Sequence, residues 1–534
     1  AFQTLPHRGV DANYTSLNDH CFLGVHRLAV THVTKIPTQL YKKTRFNFTF
    51  FTKTSRLFVS LSAKFLYFVV SAKGGESKLV TTNGSSPAFS ADGQRIYLTR
   101  FADRKTNLVS VNLDGLDAVT HASSQWATEY SLSPDNQLLS FRERYQLYVI
   151  PFTYAAKTIS LSPKAKNLPL LKVSNEGGNY VSWSKDSQSI RWSLGAELNQ
   201  LKLPSVKDWN NKQPLSAEVS DIGFAVKSDI PKGNTLLTGA KIVTMQGDLV
   251  LEQGDLLIED NKIVAVGEVG SLDVPTNALT ISLNGKTIIP GIVDVHWHGS
   301  QGSNQLTPQQ NWMNLASLAF GVTTIHDPSN NTAEIFSSAE LARKGATVAP
   351  RIFSTGRILY GAETYITAEI NNLDDATNHL KRLKQQGAFS VKSYNQPRRD
   401  QRQQVLEAAR QTQMMVVPEG GSTFQHNLTM IVDGHTGIEH SIPMAAIYDD
   451  VKQLWSQSET GYTPTLVVAF GGIWGENYWY QQSDVWKHPL LSQFVPKDIL
   501  YPRAIRRDMA PDDDYNHFNN ARVSAELQDI GVGR

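Results

Sequence analysis

The pattern of apolar and polar positions changes near residue 232. Before that point, short apolar strands alternate with polar turns, and three turns share a Ser-x-Asp order, at Ser90 to Gly93, Ser133 to Asn136 and Ser184 to Ser187. Their aspartates are 43 and then 51 residues apart. A strand–turn–strand unit recurring every 40–50 residues or so is typical of propeller blades, and Asp followed by Gly or Asn provides the positive φ of a tight hairpin. The pattern predicts part of an all-β propeller with about three visible blades; unrelated hairpins are the alternative.

After residue 232 the pattern predicts two further domains. Short strands over 236–290 indicate a small β-sandwich segment. From residue 291, strands alternate with helices in seven β/α repeats, which indicates a (β/α)8 TIM-type barrel that lacks its eighth strand. A doubly wound open sheet is the alternative, but its Gly-rich phosphate loop is absent. The predicted domains are 1–75 (atypical and basic, either a basic arm or a divergent beginning), 76–232 (propeller blades), 233–290 (β-sandwich segment) and 291–534 (barrel, C-terminally truncated).

The predicted barrel elements can be stated residue by residue. The strands are expected at 293–297, 323–326, 351–354, 390–394, 414–418, 437–440 and 463–468. The helices are expected at 308–320, 332–345, 374–387, 400–412, 424–433, 445–458 and 518–528. Asp374 is the expected cap of the third helix.

Composition narrows the class of protein. Hydrophobic residues make up 40% and charged residues 19% of the 534 residues, which excludes a disordered or collagen-like chain. Lys and Arg (51) nearly balance Asp and Glu (49), so nothing indicates a nucleic-acid partner. Cys21 is the only cysteine, which excludes an intrachain disulfide and a thiolate metal site. No apolar run reaches the roughly 18 residues of a transmembrane helix, so no membrane span is expected.

The strongest chemical motif is His296-Trp297-His298, at the end of the first predicted barrel strand. Residues two apart on a strand point to the same side, so both imidazoles can bind one metal ion at the barrel mouth. A bare His-x-His is weak, but here it follows Pro290 to Val295 and a β-rich segment ending in Lys286 to Ile289. From about Leu236 onward the chain resembles the amidohydrolase superfamily, in its imidazolonepropionase-like or prolidase-like branch. Its repeats resemble those of TolB-like propellers, so it is similar to members with such a barrel behind a propeller.

The resemblance implies three further metal ligands. Lys392 lies mid-strand and faces inward, where an unpaired ammonium is costly. In the family such a lysine reacts with CO₂ and bridges two metal ions as a carbamate; a lysine that extends to the barrel mouth is the alternative. His440 matches the strand-six histidine and is expected to bind the second ion. Glu419 stands where the family usually has a histidine, and it is either an oxygen ligand or a substrate-binding carboxylate beside a single ion.

Other candidate residues lie near the predicted barrel mouth. His326 either lines the pocket or is structural. Arg398 and Arg399 either clamp a substrate carboxylate or form a solvated charge pair. Further candidate substrate contacts are Arg357, Tyr360 and Tyr394, and two histidines expected to lie at the surface or behind the ligands are His426 and His435. The aromatic stretch from Trp474 to Trp486 is either a pocket wall or a seam against the propeller.

These residues predict a metal-dependent amidohydrolase that cleaves an amide or peptide-like C–N bond with water activated by one or two divalent ions, with zinc the expected metal. Two alternatives stay open: a non-catalytic propeller and barrel binding protein with a degenerate metal site, and a deaminase of a nucleobase-like ring. The expected partner is a small-molecule or dipeptide-like substrate; a protein partner at the propeller and a homo-oligomer stay open. The resemblance implies a periplasmic or secreted protein, with a cytoplasmic one as the alternative.

The family's general base is an aspartate that ends strand eight. After the helix predicted at 518–528 the chain reaches Arg534, so we expect that aspartate to be missing from these residues and the chain as given to be inactive. If the chain is active, Asp327 and Glu419 are the first acid–base candidates.

Overall fold

The structure is a computed structural model that describes residues 50–53, 56–61, 66–154, 157–166, 168–209, 215–394, 396–421, 423–466, 475–503, 511, 514–515 and 517–532. Of these, the residues up to Arg100 and Leu108–Thr120 form one compact unit. Phe101–Asn107 and the residues from His121 onward form the other. Cys21 and Trp474 lie outside the described residues. Within these ranges we find no helix with the length and apolar character needed to cross a bilayer.

Short, mostly antiparallel strands make up the first part of the chain. They are β1 (Phe50–Lys53), β2 (Arg56–Leu61), β3 (Leu66–Ser71), β4 (Lys78–Thr81), β5 (Ser85–Phe89), β6 (Arg95–Ala102), β7 (Lys105–Asn112), β8 (Val119–Ser124), β9 (Ala127–Leu132), β10 (Leu138–Glu143), β11 (Gln146–Pro151), β12 (Ile159–Ser160), β13 (Leu171–Lys172), β14 (Asn179–Trp183), β15 (Ser189–Leu194), β16 (Glu197–Lys202) and β17 (Glu218–Asp221), with a 3₁₀ turn at Val206–Asp208. Their sheets have the orders β1-β2-β3-β4, β12-β8-β7-β6-β5, β13-β11-β10-β9 and β14-β15-β16-β17. The boundary predicted at residue 75 separates β4 from the rest of its sheet. Four-stranded sheets of this kind are the units of propeller blades, and the propeller itself stays a prediction.

The three Ser-x-Asp turns are built alike. In each, the serine hydroxyl donates to the aspartate two residues on and accepts from the amide five residues on; the sets are Ser90, Asp92 and Arg95; Ser133, Asp135 and Leu138; and Ser184, Asp186 and Ser189. The residue after each aspartate has a positive φ, 74° at Gly93, 59° at Asn136 and 62° at Ser187. The predicted hairpin repeat is therefore confirmed, because the same side chains close each turn in the same way.

A five-stranded sheet lies where the β-sandwich segment was predicted. Its strands are β18 (Asn234–Val243), β19 (Val250–Glu259), β20 (Lys262–Glu268), β21 (Leu279–Ser282) and β22 (Thr287–Ile288). They are ordered β20-β19-β18-β21, with β22 also paired to β18. A small core forms around Ala240, Ile242 and Leu256, whereas Ile263 and Val264 are exposed. The segment's described strands form this one sheet, so the second layer of a sandwich is not seen in the described part of the chain.

From residue 292 onward, short parallel strands alternate with helices. The strands are β23 (Ile292–Asp294), β24 (Val322–Asp327), β25 (Arg351–Ser354), β26 (Leu359–Tyr360), β27 (Ser390–Tyr394), β28 (Met415–Pro418), β29 (Gly437–Glu439) and β30 (Gly461–Thr463). The helices are α1 (Trp312–Ala319), α2 (Thr332–Lys344), α3 (Leu373–Gln385), α4 (Arg399–Thr412), α5 (Phe424–Asp433), α6 (Asp449–Ser456), α7 (Gly475–Gln482), α8 (Pro489–Phe494), α9 (Lys497–Arg503) and α10 (His517–Asp529), with a 3₁₀ turn at Val485–Lys487. The sheets are β23-β24-β25, β26-β27-β28 and β29-β30.

Four details of the predicted repeats are corrected. The first strand ends at Asp294, so the two histidines of the motif follow it instead of lying on it. The seventh strand is Gly461–Thr463, and residues 467–468 of the predicted strand lie outside the described residues. A strand that the pattern did not predict, β26, takes the place of β25 beside β27. Asn372, not Asp374, caps the third helix, because its side chain accepts from the amide of Asp375.

The described strands do not close into a barrel. β23 pairs with β24 and β30 pairs with β29, and neither has a second partner strand among the described residues. Ile292 and Val293 on β23 are accordingly 48% and 54% exposed, although side chains of a closed ring are covered by their neighbours. The closed eight-stranded ring therefore stays a prediction.

Two apolar clusters hold the helices against the parallel strands. Leu380 of α3 and Val405 of α4 pack with Val391 of β27 and are fully buried. Trp455 of α6 packs with Ile438 of β29 in a second cluster. Burying one side chain of this size stabilises the folded state by about 1.5–3 kcal/mol. These clusters therefore hold the carboxyl ends of β27 to β29 in place. The candidate site lies at those ends.

Candidate metal centre

Three candidate ligands meet where β23, β28 and β29 end. His296 follows β23, Glu419 follows β28 and His440 follows β29. One ligand atom from each residue lies within 4.8 Å of the others. The rings of His296 and His440 are 4.7 Å apart, and Nε2 of His440 lies 2.7 Å from Oε1 of Glu419. The structure therefore brings together three residues that are far apart in the sequence.

A close approach of two backbones places Glu419. The Gly420 amide donates to the carbonyl of Glu439 at 2.9 Å, and Glu419 and Glu439 form an isolated parallel bridge. A Cβ at position 420 would lie 2.1 Å from that same carbonyl oxygen. Glycine is therefore required at this position, because any side chain would push the end of β28 away from β29.

Glu439 is a site residue that the sequence pattern missed. Adjacent residues of a strand point to opposite faces, so a strand running through His440 would direct Glu439 away from the metal ligands. β29 ends at Glu439, however, and His440 has a φ of 68°, which breaks the alternation. The carboxylate of Glu439 contacts Nδ1 of His296 and is only 4% exposed. The only available signal was an acidic residue next to a candidate ligand.

Lys392 lies between the candidate ligands. Its side chain projects from β27, is 3% exposed and forms an ion pair with the carboxylate of Glu419. Its Nζ is 3.5 Å from Nε2 of His296 and 5.4 Å from the ring centre of Tyr394. The side chain is therefore buried, as the predicted inward direction requires, and both the carbamate and a lysine that extends to the barrel mouth stay open. The ammonium supplies the positive charge that a buried carboxylate needs.

Burial and neighbouring charges set the pKa values of this group. Burial by itself raises the pKa of Glu419, but the hydrogen bond with His440 and the charge of Lys392 outweigh it and hold the pKa at about 2. Burial, together with the charge of Lys392, lowers the pKa of His296 to about 4, so this imidazole is neutral near pH 7. Burial raises the pKa of Glu439 to about 7. A neutral imidazole and an ionised carboxylate are the forms that bind metal ions.

His298 lies at the edge of this group. Its side chain is 53% exposed, its ring centre is 4.9 Å from that of His296, and Nδ1 is 3.8 Å from a carboxylate oxygen of Asp327. The expectation that one strand aligns the two histidines is wrong, because the strand ends at Asp294 and the chain turns before His296. Ligation by His298 stays a prediction. Asp327 is fully buried, and burial raises its pKa to about 6.

Of the other candidate residues, Tyr360 and Tyr394 lie next to the centre, and His326 is held behind it by hydrogen bonds. Tyr394 stacks on Tyr360 with 5.5 Å between ring centres, and this aromatic pair lies beside Lys392. His326 is held through both ring nitrogens, by the carbonyl of Val295 at 3.2 Å and the hydroxyl of Ser390 at 2.8 Å. The two tyrosines remain available for substrate, whereas the contacts of His326 favour the structural alternative.

The remaining candidates do not contact the centre in this structure. Arg398 pairs with Asp400, and Arg399 pairs with Asp433 at the end of α5. Two further positions have local contacts: the amide of Arg357 donates to Thr332, and Nδ1 of His435 lies 3.1 Å from the carbonyl of Met430. His426 packs against Gly421. The solvated or structural alternative fits Arg398 and Arg399 best, because each guanidinium already has a carboxylate partner.

The donor set suits a divalent transition metal. Two imidazole nitrogens and one carboxylate oxygen are ligands that zinc accepts, and three protein ligands leave a coordination position open. The Nδ1 atoms of His296 and His440 are engaged by Glu439 and by Thr465, the latter at 3.0 Å. A carboxylate that accepts from Nδ1 fixes the tautomer of His296, and both contacts direct Nε2 of the rings towards the centre. The residues present therefore fit a metal ion.

Comparison with known proteins finds distant similarities, among solved structures. No family model matches the chain, and no curated protein matches it. Among solved structures it is similar to a Xaa-Pro dipeptidase with bound methionine (16% identity, TM-score 0.40, 56% of this chain and 78% of that one) and to A. niger ochratoxinase (14%, 0.37, 56% and 74%). It is also similar to a molinate hydrolase (15%, 0.39, 57% and 82%). With identities below 20% and TM-scores below 0.5, these similarities assign no function to the chain.

Proposed function

We propose that the chain is a metal-dependent hydrolase that cleaves an amide or peptide-like C–N bond. The observation that carries this proposal is the convergence of His296, Glu419 and His440 around the buried Lys392 at the ends of neighbouring strands. Ligands and a basic group gathered at the carboxyl ends of parallel strands are the usual arrangement of an active site in β/α folds.

The centre combines metal ligands with residues that orient them. A divalent ion held by His296, Glu419 and His440 would polarise a substrate carbonyl and lower the pKa of a water molecule. Glu439 and Thr465 fix the two imidazoles through their Nδ1 atoms. Each ring is then oriented before the ion binds, so Nε2 can coordinate it without a free-energy cost for turning the ring.

Lys392 determines how many ions the centre can hold. As an ammonium it neutralises Glu419 and competes with a cation for that carboxylate. If the ammonium first loses a proton, the neutral Nζ could react with CO₂ and release a second proton, which would form a carbamate whose two oxygens can each bind an ion. We propose this modification for the two-metal form. A single ion held by the two histidines and Glu419 is the alternative.

Substrate and acid–base roles follow from the groups next to the ligands. The stacked pair Tyr360 and Tyr394 provides an aromatic surface beside the centre, which suits an apolar substituent of an amide or dipeptide. Two carboxylates, Asp327 and Glu439, are buried nearby and are the candidates to hold a proton during bond cleavage. An aspartate from an eighth strand stays the family-based expectation.

The experiment is a hydrolysis assay of the purified chain with zinc, manganese or no added metal. The panel contains aminoacyl-prolines, N-acyl amino acids, hydantoins and aminated heterocycles, and both amine and ammonia release are measured. The family-based expectation of a strand-eight aspartate predicted no activity for these residues, whereas the buried Asp327 and Glu439 offer a proton-accepting group in its place. We therefore expect metal-dependent release of an amine or amino acid that His440→Ala abolishes. Ammonia release from the heterocycles alone would identify the deaminase, and metal binding without turnover of any substrate would support the binding protein.

A further inference from the structure

The structure contains a cavity whose lining shares no residue with the metal centre. It has a volume of about 470 Å³ and is bounded by β8 to β13 on one side and by the start of α3 on the other. Its walls include Ser124, Trp126, Glu143, Tyr148 and His379. A cavity of this size is sufficient for a small organic ligand. None of the residues proposed to bind metal belongs to its walls.

Glu143 is the unusual group of this cavity. It lies at the end of β10, is 6% exposed, and accepts a hydrogen bond of 2.8 Å from the hydroxyl of Ser124. The structure shows no ion pair for Glu143 with any described cation. Burial raises the pKa of this carboxyl group, as expected where a charge lacks a partner. Buried carboxylates are normally paired with a cation, so this one is costly to the protein as it stands.

Four basic side chains line the cavity, Lys105, Arg144, Lys164 and Lys172, and two of them are paired with other acids. Arg144 donates to Glu363 at 3.3 Å and to Glu369 at 3.2 Å, and its Nε donates to the carbonyl of Thr364. Lys164 also pairs with Glu369, at 3.3 Å. Because these contacts occupy the guanidinium fork and the ammonium, neither group is free to turn towards Glu143.

A buried acceptor without a described hydrogen-bond partner lies on the opposite wall, on α3. The ring of His379 is 6% exposed, and its Nε2 lies 3.3 Å from the carbonyl of Glu369. A carbonyl only accepts, so Nε2 carries the proton and Nδ1 of the neutral ring is an acceptor. Nδ1 has no hydrogen-bond partner among the described residues. The cavity therefore combines two buried acceptors, one of them a carboxylate, with the aromatic rings of Trp126 and Tyr148.

We propose that this cavity is a binding site for a small organic cation, with the ligand's ammonium group paired to Glu143 and its apolar part against Trp126 and Tyr148. A protonated amine donates hydrogen bonds and accepts none, which matches a buried carboxylate without a described ion pair and a ring nitrogen without a described hydrogen-bond partner. The ring quadrupoles of Trp126 and Tyr148 also attract cations, and Arg144 already lies 5.6 Å from the ring centre of Trp126. The site does not depend on the proposed hydrolase activity, since it shares no residue with the metal centre.

The test is a charge series on one ring: benzylamine, benzyl alcohol and benzoate, titrated into the metal-free wild-type chain by calorimetry. We expect benzylamine to bind and the other two to bind at least about tenfold more weakly, as loss of a charge-assisted hydrogen bond typically costs. Glu143→Gln keeps the shape and the contact with Ser124, and should weaken benzylamine about 10- to 100-fold. His440→Ala should bind benzylamine as the wild type does, which separates this site from the metal centre.

The unfolding temperature provides a second test of the buried charge on Glu143. Glu143→Gln removes an unpaired buried carboxylate, so the ligand-free variant should unfold at the same temperature as the wild type or at a higher one. Equal binding of all three probes, stronger binding of benzoate, no binding of benzylamine, or unchanged binding in Glu143→Gln would each overturn the proposal. Because the charge series uses the wild-type chain, the proposal can fail even if the variant does not fold. Glu407→Gln, an exposed partner of Arg410 on α4, is the matched control.

Discussion

Glu439 and His440 are neighbours in the sequence, yet both side chains reach the same centre. Glu439 contacts Nδ1 of His296, and His440 lies 2.7 Å from Glu419 through its Nε2. Successive side chains of a strand point to opposite faces, and the φ of 68° at His440 is what removes this restriction. A non-glycine residue with positive φ is uncommon, and such residues concentrate at functional sites.

The orienting role of Glu439 predicts a specific loss of metal affinity. Glu439→Gln keeps the side-chain shape but replaces the carboxylate that holds Nδ1 of His296. We expect roughly 10- to 100-fold weaker zinc binding, as is typical when such a partner is removed. Competition with a chromophoric chelator measures the affinity. Glu407→Gln, on the surface of α4 beside Arg410, should leave the affinity unchanged. Equal zinc affinities in the wild type and both variants would show that Glu439 does not orient the ligand.

The three convergent ligands predict which histidines retain metal. His296→Ala and His440→Ala should each lose most of the bound zinc, because each removes one of only two imidazoles in the group. His426→Ala should retain it, since that ring packs against Gly421 on the side of α5. Elemental analysis after dialysis gives the ion content. Similar losses of zinc in all three variants would show that the ligands are wrongly assigned.

The position of Lys392 predicts two effects of its removal. Lys392→Ala should lose the second ion, if the carbamate forms, and acetate should restore part of it by providing an anionic bridge. Lys392→Arg should not restore it, because a guanidinium stays positively charged. Metal-free Lys392→Ala should also be less stable by roughly 3–5 kcal/mol, because Glu419 loses its buried partner. Elemental analysis measures the loss of the second ion, and denaturant unfolding measures the loss of stability. A variant with full metal occupancy and unchanged stability would contradict both expectations.

The close approach at Gly420 predicts an asymmetry between two glycines. Gly420→Ala would place a Cβ 2.1 Å from the carbonyl of Glu439, so β28 and β29 must separate. We expect the free energy of unfolding to fall by about 1–3 kcal/mol or more. Metal binding through Glu419 should also be weaker. Gly437→Ala on β29 is the matched control, because its nearest neighbour would be 3.7 Å away. Thermal unfolding of the two variants should therefore differ; equal midpoints would show that the backbones can separate without cost.

Burial of His379 predicts a pH dependence of stability. Burial lowers its folded-state pKa to about 3, so the folded chain keeps the ring neutral while the unfolded chain takes up a proton below about pH 6.5. The stability that this ring contributes is complete above about pH 6.5 and is lost as the pH falls towards 3, with a slope of up to about 1.4 kcal/mol per unit. His379→Gln should have a flatter profile over that window. Urea unfolding at several pH values measures both slopes, and parallel profiles would refute the prediction.

The sequence by itself determined the local elements and the residue types of the site. The Ser-x-Asp turns could be predicted because each is closed by side chains within five residues, and the β/α alternation could be predicted because apolar periodicity is local. The inward direction of Lys392 followed from the local alternation of its strand, whereas His440 and Glu419 were expected only from the resemblance to the amidohydrolase superfamily. Only the tertiary structure decided that the first strand ends before His296, that β26 replaces β25 beside β27, and that Glu439 joins the centre. These depend on pairing between distant segments and on one left-handed residue, neither of which has a signature in the linear pattern.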